Sequence, residues 1–235
     1  MSRHQNILII AAAALVSSAL ILPTSGVLAQ SWTTVVHNRM PVIQGSGNVV
    51  RQNRAVGAFQ RVEAMGSEDV QVRVGARPSL VIAADDNILP LITTEVRAGT
   101  LKISSRGSYR MRGPIRVWLT TPSLEAFKTS GSGNVDIQGV RSGRLELMIQ
   151  GSGDMQATGS TRELDLDIHG SGTARLASLN AANVSASLYG SGDATVRATG
   201  SLDARVYGSG TLRYVGTPAN IRRQNFGSGR IVAAR

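Results

Sequence analysis

Residues able to do acid–base, nucleophilic or metal chemistry are few in this chain, and their spacing brings none together. There is no cysteine, which excludes a disulfide framework, a thiolate zinc site and a cysteine nucleophile. Histidine occurs only at His4, His37 and His169, too few and too scattered for a histidine-based metal site. No Gly-x-Ser-x-Gly elbow and no glycine loop followed by Lys and Ser/Thr is present. Asp165, Asp167 and Glu146 alternate with apolar residues, as solvated positions on the wet face of a strand do, rather than as a glycosidase pair. Gly-Ser-Gly-Asp hints at a calcium solenoid. That motif wants a nine-residue period, and the residue after the tripeptide here varies: Asn134, Asp154, Thr173, Asp193, Thr211, Arg230. No catalytic residue, metal or cofactor is expected.

Two sets of residues could instead bind. Gln150, His169, Tyr189, Tyr207 and Phe226 each stand just before a Gly-Ser-Gly, and would form one column if repeats stack. Such a column could contact sugar rings or a partner strand, or serve only as cross-rung packing. Lys102, Arg106, Arg110, Arg112 and Arg116, with Tyr109 among them, form a basic run without an acidic residue. Gly107 and Gly113-Pro114 bracket its centre, so an exposed loop able to dock anionic polymers is expected, or else a merely solvated one.

The elements that must position these residues follow from the glycines. Gly-Ser-Gly begins at Gly45, Gly131, Gly151, Gly170, Gly190, Gly208 and Gly227, and the last six are spaced by 20, 19, 20, 18 and 19 residues. Before the motifs the chain reads Leu145, Leu147, Ile149, then Leu164, Leu166, Ile168, then Val184, Ala186, Leu188, then Leu202, Ala204, Val206, with polar residues between. After them it alternates again, as in Val135 and Ile137 or Leu212 and Tyr214. Alternation with period two means strands with one buried face. Gly139, Gly159 and Gly216 end several of these segments, where a turn with positive φ is expected.

Two strands and two turns per ~19 residues predict an all-β fold, a right-handed parallel β-helix or β-solenoid. With strands ~4.8 Å apart, six rungs would stand roughly 25–30 Å tall. An antiparallel meander also gives the alternation, but no reason for the motif to recur only at every second turn. Residues 49–128 are β-rich but irregular, and would cap the open edge of the regular rungs in 129–235. Residues 30–48 read as a flexible arm, though Gly45-Ser46-Gly47-Asn48 could be a stray rung.

Residues 1–29 read as a secretory signal peptide: a basic start at Arg3 and His4, an apolar run from Ile7 to Leu22, and Val27-Leu28-Ala29 before the cut. A retained membrane helix is the alternative. Export to the periplasm or outside the cell is expected, with no membrane span after cleavage. The formal charge is +10, and removing Arg3 leaves +9. Arginine supplies nearly all of it, since Lys102 and Lys128 are the only lysines. An exported basic protein meets anionic glycans or envelope polymers rather than nucleic acid.

The stretches Phe59-Gln60-Arg61-Val62, Val70-Gln71-Val72-Arg73-Val74 and Leu80-Val81-Ile82 resemble the opening of the head GIN domain. Ile92-Thr93-Thr94-Glu95-Val96, Gly99-Thr100-Leu101-Lys102-Ile103, Ile115-Arg116-Val117, Pro122-Ser123-Leu124 and Ser130-Gly131-Ser132-Gly133-Asn134 continue the resemblance. It runs from about Val50 to the C-terminus. It implies a β-helix-like exported bacterial domain with an adhesin-type role and no catalytic residues to carry over. No C-terminal barrel strands follow the repeats, so a free-standing head is expected. The reading is a non-enzymatic exported binding domain, with glycans or envelope proteins as partners. A polysaccharide-cleaving β-helix enzyme and an envelope assembly module are the alternatives.

Overall fold

The computed structural model describes residues 42–234. The expected signal segment 1–29 and residues 30–41 of the expected arm lie outside the described residues. In chain order come β1 (Ile43–Gln44), β2 (Val49–Arg54), β3 (Arg61–Met65), β4 (Asp69–Val74), β5 (Ser79–Asp85), β6 (Ile92–Arg97) and β7 (Thr100–Ser105). Then follow β8 (Tyr109–Arg110), β9 (Arg116–Thr121), β10 (Ala126–Gly131) and the long bent strands β11 (Val135–Gly151), β12 (Asp154–Gly170), β13 (Thr173–Gly190) and β14 (Asp193–Gly208). β15 (Thr211–Val215), β16 (Asn220–Asn225) and β17 (Arg230–Ala233) end the chain.

From β10 onward each segment pairs in parallel with its copy one repeat later. Leu147 lies beside Leu166, Leu166 beside Ala186, and Ala186 beside Ala204. The same ladder joins Gly151, Gly170, Gly190 and Gly208. This is the β-solenoid that the repeat predicts, and the meander is excluded. One wall carries Leu145, Leu147, Ile149 and their copies inward; a second carries Val135, Ile137 and theirs. A third, shorter side passes through the buried Thr161, Ala181 and Ala198. Parallel strands bury apolar side chains between them because every second residue points in.

Glycine at the corners is a steric demand. Gly190 has φ +121°, and a Cβ built there would lie 2.5 Å from the Gly170 carbonyl oxygen of the rung before. The corners stack so closely that a side chain has no room. Gly139, Gly159 and Gly216 have φ of +76°, +127° and +105°, the positive-φ turns expected of them.

The N-terminal half departs from chain order. β3 pairs in parallel with β7 on one side and β10 on the other; β4 lies likewise between β9 and β11. The rung made by residues 61–74 is therefore threaded between residues 100–121 and 126–138. Gly66-Ser67 is its corner, directly under Gly131, where a Cβ would run into the Gly66 carbonyl. Outside this, β5 adds antiparallel to β9, β6 to β7, and β2 to β5. Arg54 closes that end by donating to the carbonyls of Ile92 (2.7 Å) and Leu89 (3.1 Å).

The described part of the expected arm is tied down. β1 pairs with β8, the Gly45 N–H donates to the Arg110 carbonyl (2.8 Å), and the Asn48 amide donates to Asp86 (3.0 Å). Gly45–Asn48 thus sits on the Asp85–Asn87 turn rather than in a rung of its own.

Candidate functional site

The predicted column assembles. His169 and Tyr189 stack with centroids 4.6 Å apart, Tyr189 and Tyr207 at 4.8 Å, and Tyr207 and Phe226 at 4.7 Å, all within 7° of parallel. Gln150 continues it downward, accepting a hydrogen bond from the Ser130 hydroxyl (3.0 Å). Ring spacing matches rung spacing because parallel in-register strands lie ~4.8 Å apart. The geometry has a chemical consequence. Tyr189 and Tyr207 use both faces on their neighbours, so they show solvent only their edges. Phe226, at the end of the stack, keeps one face free and is 56% exposed.

The basic run does not form one patch. Lys102 lies on β7 with Glu63 and Glu95 as its lateral neighbours, and Arg116 lies on β9 beside Asp69. Arg106, Arg110 and Arg112 share the segment between those strands. That segment replaces the tight corner of its rung and is pinned along its length. The Arg106 N–H donates to the Leu91 carbonyl (2.9 Å), β8 pairs with β1, and the Asp69 N–H donates to the Ile115 carbonyl (2.8 Å). Tyr109 and Met111 pack toward the core, so the exposed Arg110 and Arg112 alternate with anchors. None of the five basic residues forms an ion pair among the described residues. A cleft of about 520 Å³ separates this loop from the Gly66-Ser67 corner, lined by Ser67, Ser108, Tyr109, Met111 and Pro114.

Two of the outward carboxylates are paired with arginines. Asp165, beside Glu146 in register, pairs with Arg144 at 2.6 Å, and Asp203 pairs with Arg205. At some corners the variable position that follows has a role that sequence alone hides: its side-chain oxygen accepts the next rung's backbone N–H. Asp69 accepts from Asn134 (2.9 Å) and Asp193 from Thr211 (2.7 Å). Also unseen in the sequence is a cleft of about 650 Å³ that gathers Arg61, Arg141, Arg144 and Arg162 from distant segments. Three of these lie against acids: Arg144 on Asp165, Arg61 3.9 Å from Glu125, and Arg162 3.8 Å from Glu163. Its positive charge is largely answered internally, unlike that of the loop.

Glu68 stands where the other corners have their second glycine. It is 2% exposed, and neither carboxyl oxygen has a well-formed hydrogen bond. Loss of solvent pushes its carboxyl above the usual range, with slight relief from its own backbone N–H. Between the unfolded value near 4.5 and the higher folded one, the folded state holds a proton that the unfolded chain has released. Stability therefore falls as pH rises through that window, by about 1.4 kcal/mol for each unit of separation. Glu68→Gln should raise the urea midpoint at pH 7–8 and leave it nearly unchanged close to pH 4. An unaltered pH profile would contradict this. Asp86 behaves oppositely: bonds from Ser46 and Asn48 hold it below its usual 3.8, and what it contributes is lost only at more acid pH.

The family model described as "Putative auto-transporter adhesin, head GIN domain" matches residues 58–218. The chain belongs to the head GIN domain family. The match takes in the threaded rung and the Gly-Ser-Gly corners from Gly131 to Gly208. A solved "putative adhesin" from Bacteroides fragilis is 28% identical, covers 82% of this chain and 100% of its own, and superposes with a TM-score of 0.69. A "putative lipid binding protein" from Parabacteroides distasonis is 23% identical over 83% of this chain and 100% of its own, with a TM-score of 0.54. A "putative adhesin" from the same species is 21% identical over the same shares, at 0.57. Likeness to the last two is one of fold. No curated protein matches the chain. Among the described residues of this head GIN domain, no helix is long and apolar enough to cross a membrane.

Proposed function

We propose that this head GIN domain is an exported, non-enzymatic binding module that recognises anionic envelope glycans through the loop of residues 106–115. One observation carries the reading: Arg106, Arg110 and Arg112 are exposed on a segment anchored to the coil, with no acidic partner among the described residues. A rigid support lowers the ordering cost of binding, and unpaired guanidinium groups suit carboxylate and sulfate. The aromatic column belongs to the scaffold in this reading, because a sugar needs a ring face and Tyr189 and Tyr207 have none free. Asp165 and Asp203, which line one open groove, are each engaged by an arginine, Arg144 and Arg205, and this supports binding without cleavage. The signal-peptide pattern in residues 1–29 supports export.

The test is retention on immobilised polygalacturonate and hyaluronate, with a parallel assay for chain cleavage. The triple variant Arg106→Ala/Arg110→Ala/Arg112→Ala should bind about tenfold more weakly or worse, while Tyr189→Ser retains the wild-type affinity. Undiminished binding by the triple variant, or cleavage of either polymer, would contradict the proposal.

A further inference from the structure

We infer that the last rung, β16 and β17, is a docking edge for an acidic, extended segment of a protein partner, which would extend the coil by one rung. Four observations converge there. Neither strand has a partner on its outer side among the described residues. Unpaired N–H and C=O groups in a row are a template for an added strand. Second, apolar side chains lie open at this end: Ile221 is 41% exposed, the outward-facing Val232 37% and Phe226 56%, the last with one ring face free. Third, beyond Asp203 the sequence holds six arginines and no acidic residue. Arg222, in register beside Asp203, and Arg230 point outward on the two edge strands, and both are exposed. Fourth, Arg223 takes an inward position, in the column of Ala204, where it lies 5.3 Å from the Tyr214 ring centroid and donates to the Tyr214 hydroxyl (2.8 Å).

Arginine and aromatic groups mixed with apolar residues are the composition of contact surfaces rather than of plain edges. Charge decides the occupant. A second copy presenting the same tip would set Arg222, Arg223 and Arg230 against their own images, which disfavours self-pairing. An acidic strand meets all three. The corner at Gly227 and Gly229 repeats the close stacking of earlier corners, so glycine at the incoming corner fits best. An aromatic residue just before it would continue the ring stack.

The probe is a labelled peptide copying residues 218–234 but carrying Arg222→Glu, Arg223→Glu and Arg230→Glu, titrated by fluorescence anisotropy against the exported protein. It should bind at least about tenfold more tightly than the unaltered copy, and a scrambled peptide of the same composition should not compete. Arg222→Gln/Arg230→Gln in the protein should weaken binding about tenfold without changing Tm. The triple loop variant should bind the peptide normally, which separates this edge from the glycan proposal. Absence of binding would mean that the arginines only protect the edge, and equal binding of the scrambled peptide would reduce the effect to bulk charge. Preference for phosphatidylglycerol vesicles, or a dimer by light scattering that Arg222→Gln/Arg230→Gln strengthens, would also overturn the inference.

Discussion

Gly190→Ala should cost at least about 3 kcal/mol and lower Tm by roughly 6–12 °C. Two effects add. The residue holds φ +121°, a conformation that an L side chain adopts only under strain. The new Cβ would also lie 2.5 Å from the Gly170 carbonyl oxygen, and that neighbour is backbone locked in the parallel ladder. Relief requires the corner to separate from the rung below, which weakens the hydrogen bond from the Ser191 N–H to the Gly170 carbonyl (3.0 Å). Gly57 is the control: no atom stands within 4 Å of a Cβ there, so Gly57→Ala should change stability by less than about 0.5 kcal/mol. Equal urea midpoints for the two variants would mean that corner glycine is compositional rather than steric.

Phe127→Ala is the second large effect, at about 3–5 kcal/mol. Phe127 is 1% exposed and lies between Val62 of the threaded rung and Leu147 of the next. A solenoid has no distant elements to collapse into a gap, since each rung touches only its neighbours. The cavity would open where the rung built out of chain order meets the regular repeats. The two blocks are joined by this contact and by the strand ladders β3–β10 and β4–β11. Urea unfolding checks it, and a loss below about 1 kcal/mol would show that the junction repacks freely.

Much of the regular coil is legible in the residues themselves. Leu145, Leu147 and Ile149 recur one repeat on as Leu164, Leu166 and Ile168, and once in-register stacking is inferred the aromatic column follows from position alone. The threaded rung is not legible, for two physical reasons. Spatial order departs from chain order there, and Glu68 fills the position of the second corner glycine. It has room for a side chain because the adjoining rung turns through the long loop of residues 106–115 instead of a tight corner. The basic run shows the opposite difficulty. Its residues are contiguous in the chain, yet Lys102 and Arg116 end on separate strands with acidic lateral neighbours, and only the loop arginines stay together. Arg61, Arg141, Arg144 and Arg162 meet only through the coil, so no spacing announces them. Glu125, Glu163 and Asp165, which answer three of them, are equally scattered.

The domain contains no cysteine, so its rungs are held without disulfides, chiefly by ladder hydrogen bonds and the aliphatic columns. That regular scaffold gives the loop its fixed base, and binding by its arginines is the central claim. Equilibrium binding of the protein to polygalacturonate, followed from about 50 to 500 mM salt, tests it most directly. Affinity should fall steeply with salt, and Arg106→Ala/Arg110→Ala/Arg112→Ala should bind weakly with a shallower dependence. Salt-independent affinity, or the same slope for both proteins, would contradict the account.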